Sequence, residues 1–146
     1  MRLEVLASEF LAMSIKIAGH KPVVLCVEDD EDTLQMIEMM LSSKGYSILS
    51  ASSVKEAVEL ANTHDNIHSL VTDYHIGNET ATDLLNALGD RKPKNVVLLS
   101  GRQIENLKKE VPGADSHVMK PIWDPKKLIE KINVERNSVA PQPEAG

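Results

Sequence analysis

Residues 23–30 read VVLCVEDD: Val23-Val24-Leu25-Cys26-Val27, then Glu28-Asp29-Asp30. A short apolar run rich in β-branched residues, with polar chain after it, predicts a buried strand. Three carboxylates at its end are costly to keep together unless a cation meets them. A second apolar run, residues 67–72, ends in Asp73, and a third short strand-like stretch, 116–119, is followed by Lys120-Pro121. Apolar strands that deliver acids and an amine at their ends point to a divalent metal, one reactive aspartate and phosphoryl chemistry.

Working outward, apolar runs alternate with helix-periodic segments. Leu34, Ile37, Met40 and Leu41 recur at helical spacing over 32–41, before Lys44-Gly45, a C-terminal helix signal. Residues 46–50 read as a second strand. Ser52 or Ser53 can cap the next helix, where Val54, Ala57, Val58 and Ala61 share a face and Glu56 stands at capping-box spacing from Ser53. After the strand over 67–72 come a polar loop, 75–80, and a helix through 83–88 closed by Gly89. Residues 95–99 (NVVLL) predict a fourth strand, 104–110 a helix stopped by Pro112-Gly113, and 116–119 a fifth strand. Asp124 caps a last helix with Pro125 at its first position. Five strands alternating with five helices imply an α/β fold: a five-stranded parallel sheet covered on both faces. With right-handed crossovers, the flavodoxin-like doubly wound order 2-1-3-4-5 follows.

In such a sheet, ligands bind at the carboxyl ends of the strands. Glu28 and Asp29 end strand 1, Asp73 strand 3, Ser100 strand 4 and Lys120 strand 5, so the polar outliers converge on one edge. Each has a plainer role available. Asp30 and Asp32 suit the start of the first helix, Asp73 could form an Asx turn, Ser100 could cap a helix, and Lys120 could be a surface lysine whose following Pro121 is a candidate cis bond. The shared edge favours the site. A carboxylate can attack a phosphoryl group and form an acyl phosphate, and cationic clamps on the transferring oxygens matter most. Mg²⁺ would be held by Asp29, by Asp73 and by the backbone carbonyl of His75, with Glu28 acting through water. Lys120 would pair with a phosphoryl oxygen and the Ser100 hydroxyl would donate to another.

Composition bounds the rest. The 146 residues carry 16 Lys and Arg against 22 Asp and Glu, a net charge of −6 that suggests no nucleic-acid surface. The single cysteine, Cys26, lies in an apolar run and reads as a core thiol; with no disulfide framework the expected compartment is a reducing cytoplasm. Nothing approaches the roughly 18 apolar residues of a membrane span. Residues 1–20 form an N-terminal extension in which Leu3, Leu6, Phe10, Leu11 and Met13 recur at helix-like spacing. It reads as a poorly ordered extension or a helix lying on the domain, with a partner-binding or membrane-surface helix as the sharper alternative. Residues 135–146 read as a disordered tail.

The chain resembles the receiver domains of two-component response regulators, the CheY-like superfamily. VVLCVEDDEDTL (23–34) resembles the family's first strand and acidic pair, and LVTDYHIGNETATDLL (70–85) its phospho-acceptor strand and loop. VVLLSG (96–101) resembles the Ser/Thr strand, and GADSHVMKPIWDPKKLIEKI (113–132) the Lys-Pro segment and last helix. The match covers roughly 21–134 with order and spacing intact. The resemblance implies a phosphorylation-activated switch rather than an enzyme. Its acceptor, at Asp73, takes the phosphoryl group from a sensor histidine kinase or a histidine phosphotransfer protein. It signals to a downstream protein through the face of helix 4, strand 5 and helix 5, as a monomer or weak dimer. Four positions depart from the family pattern. Glu28 replaces the commoner Asp. Ile76-Gly77 stands where a Met/Leu-Pro pair is usual. His117 occupies the aromatic switch position, which could add pH sensitivity. Residues 135–146 cannot hold a DNA-binding module, so a stand-alone receiver is expected, with a fragment of a hybrid kinase as the alternative. A haloacid-dehalogenase-like phosphatase would need an Asp-x-Asp motif on the first strand. A flavin domain would need a Gly-, Ser- or Thr-rich loop there.

Overall fold

The structure, a computed structural model, describes residues 21–133. The readings of 1–20 as an extension with helix-like spacing, and of 135–146 as a tail, lie outside the described residues.

Five parallel strands form the sheet: β1 Val23–Val27, β2 Ser47–Ala51, β3 Ile67–Asp73, β4 Asn95–Ser100 and β5 Ser116–Met119, in the order β2-β1-β3-β4-β5. The expected topology is therefore observed. Five helices cross between strands or follow them: α1 Glu31–Ser42, α2 Val54–Thr63, α3 Ala81–Leu88, α4 Leu107–Glu110 and α5 Pro125–Ile132. Strand side chains alternate between faces, and the two layers of core follow from that alternation. Leu25, Val27, Leu70, Val96 and Leu98 pack with Ala57, Ala61, Leu84, Leu85 and Leu88 of α2 and α3. Val24, Cys26, Val71, Val97 and Leu99 pack with Leu34, Ile37, Leu41, Leu128 and Ile132 of α1 and α5. Each fully buried leucine contributes about 2 kcal/mol of transfer free energy. Burial also pushes the Cys26 thiol far up from its ordinary value, with Glu38 adding to the effect, so the cysteine is the inert core group expected.

Helix starts follow local chemistry. The Asp30 side chain accepts from Thr33 N at 3.0 Å and caps α1; those hydrogen bonds, from the Thr33 hydroxyl first and then its amide, lower its pKa. Asp32, the other capping candidate, lies inside the helix. Ser53 caps α2, but the Glu56 carboxylate accepts from Ser52 N at 2.6 Å, one residue earlier than a capping box requires. The full box forms at α3, between Thr80 and Asp83, where the sequence reading began the helix two residues late. Asp124 caps α5 as expected.

Two elements differ from expectation. The loop over 75–80 contains a two-residue antiparallel ribbon, His75–Ile76 with Glu79–Thr80, turned at Gly77 with φ +65°. The helix expected over 104–110 shrinks to the single turn of α4. Asn106 caps it by accepting from Lys109 N, and the Arg102 backbone is held by the Ser100 hydroxyl. Those side-chain bonds compete with an earlier helix start. At the opposite end of the sheet, Asn95 Nδ2 donates to Ser69 Oγ and to the carbonyls of Lys131 and Ile132, so β4 fastens the last turn of α5.

Candidate functional site

The carboxyl edge of the sheet gathers the predicted residues. β1 runs directly into Glu28, whose side chain is 1% exposed, and Glu28 N extends the ladder to Ala51 O at 3.1 Å. Asp73 closes β3 and Ser100 closes β4, both buried. Lys120 N donates to Ser100 O at 2.8 Å, which seats the residue after β5 on the same edge. The Lys120-Pro121 bond is cis, as Pro121 suggested.

The Lys120 side chain reaches across the edge between two carboxylates. Its Nζ donates to Asp73 Oδ2 at 2.9 Å and to Glu28 Oε2 at 3.1 Å. Burial works to lower the Lys120 pKa, but the hydrogen bonds and charge of Asp73, then those of Glu28, outweigh it and hold the ammonium above its ordinary value. Glu28 moves up as well, chiefly because it is desolvated, against the lowering effect of the Asp30 N hydrogen bond to its Oε1. A buried acid of this kind is stable only while its partners stay in place.

Asp29 is exposed and points across the edge, its Oδ2 accepting from Gly77 N at 2.8 Å. Oxygens of Glu28, Asp29 and Asp73 lie within 4.8 Å of one another, a grouping able to hold a metal ion. Three hard oxygen donors, one of them exposed, fit a Mg²⁺-type cation that keeps several waters. Asp73 Oδ1 accepts from Tyr74 N at 2.8 Å, the next residue rather than the one two residues on that an Asx turn uses. His75 opens the ribbon directly beyond it, its side chain exposed. The structure thus brings Glu28, Asp29, Asp73, Ser100 and Lys120 to one edge.

His117 lies on β5, half-buried. Its ring is hydrogen-bonded to the Arg102 backbone, and its buried Nε2 has no partner among the described residues. Ser100 Oγ donates to Arg102 O at 3.0 Å and accepts from Arg102 N at 3.1 Å. The Ser100 hydroxyl and the His117 ring therefore meet on the backbone of one residue. The Arg102 side chain pairs with Glu110 at 2.6 Å and lies 5.7 Å from the Tyr74 ring centre. Sequence reasoning missed Arg102, and an isolated arginine carries no signal. It also missed the Gly77 donor, although Gly-Asn after an apolar residue is a turn signature.

Burial is the main reason the His117 pKa falls below its ordinary 6.5; the hydrogen bond to the Arg102 backbone opposes it. The unfolded chain then takes up a proton before the folded one does. Stability from this group is complete above the ordinary value and is lost as pH falls through it toward the folded value. His117→Gln is expected to flatten the stability curve between pH 7 and 5, as read by denaturant midpoints. An unchanged slope would show that His117 does not titrate with folding.

Fold and edge together define a doubly wound α/β domain with an acid-lysine cluster at the carboxyl ends of its strands. The family model described as a response regulator receiver domain matches residues 24–133. This chain belongs to that family. It is 32% identical over 101 residues to the cell cycle transcriptional regulator CtrA of Caulobacter vibrioides, covering 67% of this chain and 43% of that protein. It is 30% identical over 118 residues to the two-component response regulator ORR3 of Oryza sativa, covering 75% and 88% respectively. It therefore spans less than half of CtrA but most of ORR3. Among solved structures, the Francisella response regulator 1452 receiver domain superposes with a TM-score of 0.68 at 28% identity, over 80% of this chain and 98% of that one. No helix among the described residues is long and apolar enough to cross a membrane.

Proposed function

We propose that this chain is a phosphorylation-driven switch whose acceptor is Asp73. The observation that carries the reading is the Lys120 ammonium held between Asp73 and buried Glu28, beside an exposed Asp29. An Asp73 carboxylate oxygen attacks the phosphorus of a phosphohistidine on a sensor kinase or histidine phosphotransfer protein. A new P–O bond forms, the P–N bond breaks, and its electron pair returns to the donor imidazole. Lys120 pairs with an oxygen of the acyl phosphate, and the Ser100 hydroxyl turns from Arg102 O to donate to another. Asp29, Asp73, the His75 carbonyl and, through water, Glu28 would hold Mg²⁺. When bound, the ion neutralises charge on the carboxylates and the phosphoryl oxygens.

When Ser100 leaves Arg102, the His117 ring and the backbone it holds are free to shift. The change reaches the face of α4, β5 and α5, where a downstream protein binds. The chain acts on no substrate besides its own phosphoryl group. Incubation with Mg²⁺ and acetyl phosphate tests the acceptor. Wild type should carry an acid-stable, base-labile phosphate that Asp73→Asn lacks; no such phosphate on wild type, or its survival in the variant, would overturn the assignment.

A further inference from the structure

The face made by α1 and α5 carries an apolar groove away from the phosphoryl site. It encloses about 690 Å³ and is lined by Met36, Met39, Met40, Ser43, Pro125 and Ile129, among others. Met36 is 39% and Met39 74% exposed. Unbranched methionines adapt to whatever covers them.

The chain contains a segment suited to that cover. Leu3, Leu6, Phe10, Met13 and Ile17 follow the alternating three-four spacing of a helix seam. The only phenylalanine of the chain is Phe10, so the largest purely hydrocarbon side chain belongs to this segment of the sequence. The attachment point is also correct. Ser47 N donates to Pro22 O at 2.9 Å, and Tyr46 N to Leu41 O at 3.2 Å, while the Tyr46 hydroxyl bonds Asn133 at the C-cap of α5. Residues 1–20 thus join the domain where α1 and α5 both finish, at the Ser43 end of the groove. A helix over 3–17 spans about 22 Å and α1 about 18 Å, so one pass parallel to α1 covers the groove.

We propose that residues 3–17 dock as a helix in the groove between α1 and α5, with Leu3, Leu6, Phe10, Met13 and Ile17 facing it. With Ile17 level with Ser43, Phe10 comes level with Met36, because both intervals are seven residues.

Cysteine pairs in the full chain test this, since native Cys26 is buried. At high dilution, Phe10→Cys with Met36→Cys should form an intrachain disulfide about tenfold faster than Ser8→Cys with Met36→Cys, which places its thiol on the opposite helix face. Equal rates would mean a free tether, and disulfides only between chains would mean a second copy in the groove; either overturns the proposal. Amide exchange in the unsubstituted chain gives a check that needs no mutation. Residues 3–13 should be protected, and Phe10→Asp should abolish that protection while leaving the sheet unchanged. Exchange at the rate of a free peptide, as when a separate partner protein is the true occupant, would refute the docking.

Discussion

Replacing Lys120 with methionine is expected to slow phosphoryl transfer to Asp73 by a factor of about 100 or more, and to lower unfolding free energy by about 3 kcal/mol. The two effects have different origins. Methionine keeps most of the stem volume but removes the Nζ that bridges Glu28 and Asp73. The loss in rate comes from the missing clamp on the transferring oxygens. The loss in stability comes from Glu28, left as a buried carboxylate without its cation. The double variant Lys120→Met, Glu28→Gln separates them: stability should largely return, and transfer should not. Acetyl phosphate labelling and urea denaturation read the two quantities independently. A double variant that stays as unstable as the single would locate the destabilisation outside the Glu28 pair.

Asp29→Asn should move the same two quantities in opposite directions. Asparagine can still accept from Gly77 N, but one of three clustered negative charges disappears. Repulsion of roughly 1 kcal/mol per close pair in water-like surroundings is relieved, so without divalent ions the variant should be modestly more stable than wild type. Labelling of Asp73 should fall by about 100-fold. The distinguishing measurement is the response to Mg²⁺. Wild type at tenfold excess over Kd gains about 1.4 kcal/mol, and the variant should gain almost nothing. An equal thermal shift in both proteins would remove Asp29 from the cation site.

The sheet order and the site edge were legible because each rests on a local pattern repeated along the chain. Apolar runs such as 23–27 and 95–99 could only be buried strands, and the acids and the lysine stand at their ends. What was not legible depends on contacts between distant segments. The shortness of α4 follows from Arg102 being held by Ser100 and from Asn106 taking the cap; periodicity over 104–110 records neither. The bridge from Gly77 N to Asp29 joins residues 48 apart and becomes visible only when β1 and β3 lie side by side. Its chemistry was nevertheless implicit in the sequence, since a proline at 77 would have had no N–H to give.

Trp123 is the single tryptophan of the chain and stands 86% exposed between Lys120-Pro121 and the Asp124 cap of α5. The domain therefore has its own optical label, with no second indole to dilute the signal. Quenching by a soluble collider reports access to this one segment. A partner that lands on the start of α5 announces itself in the emission of the unmodified protein.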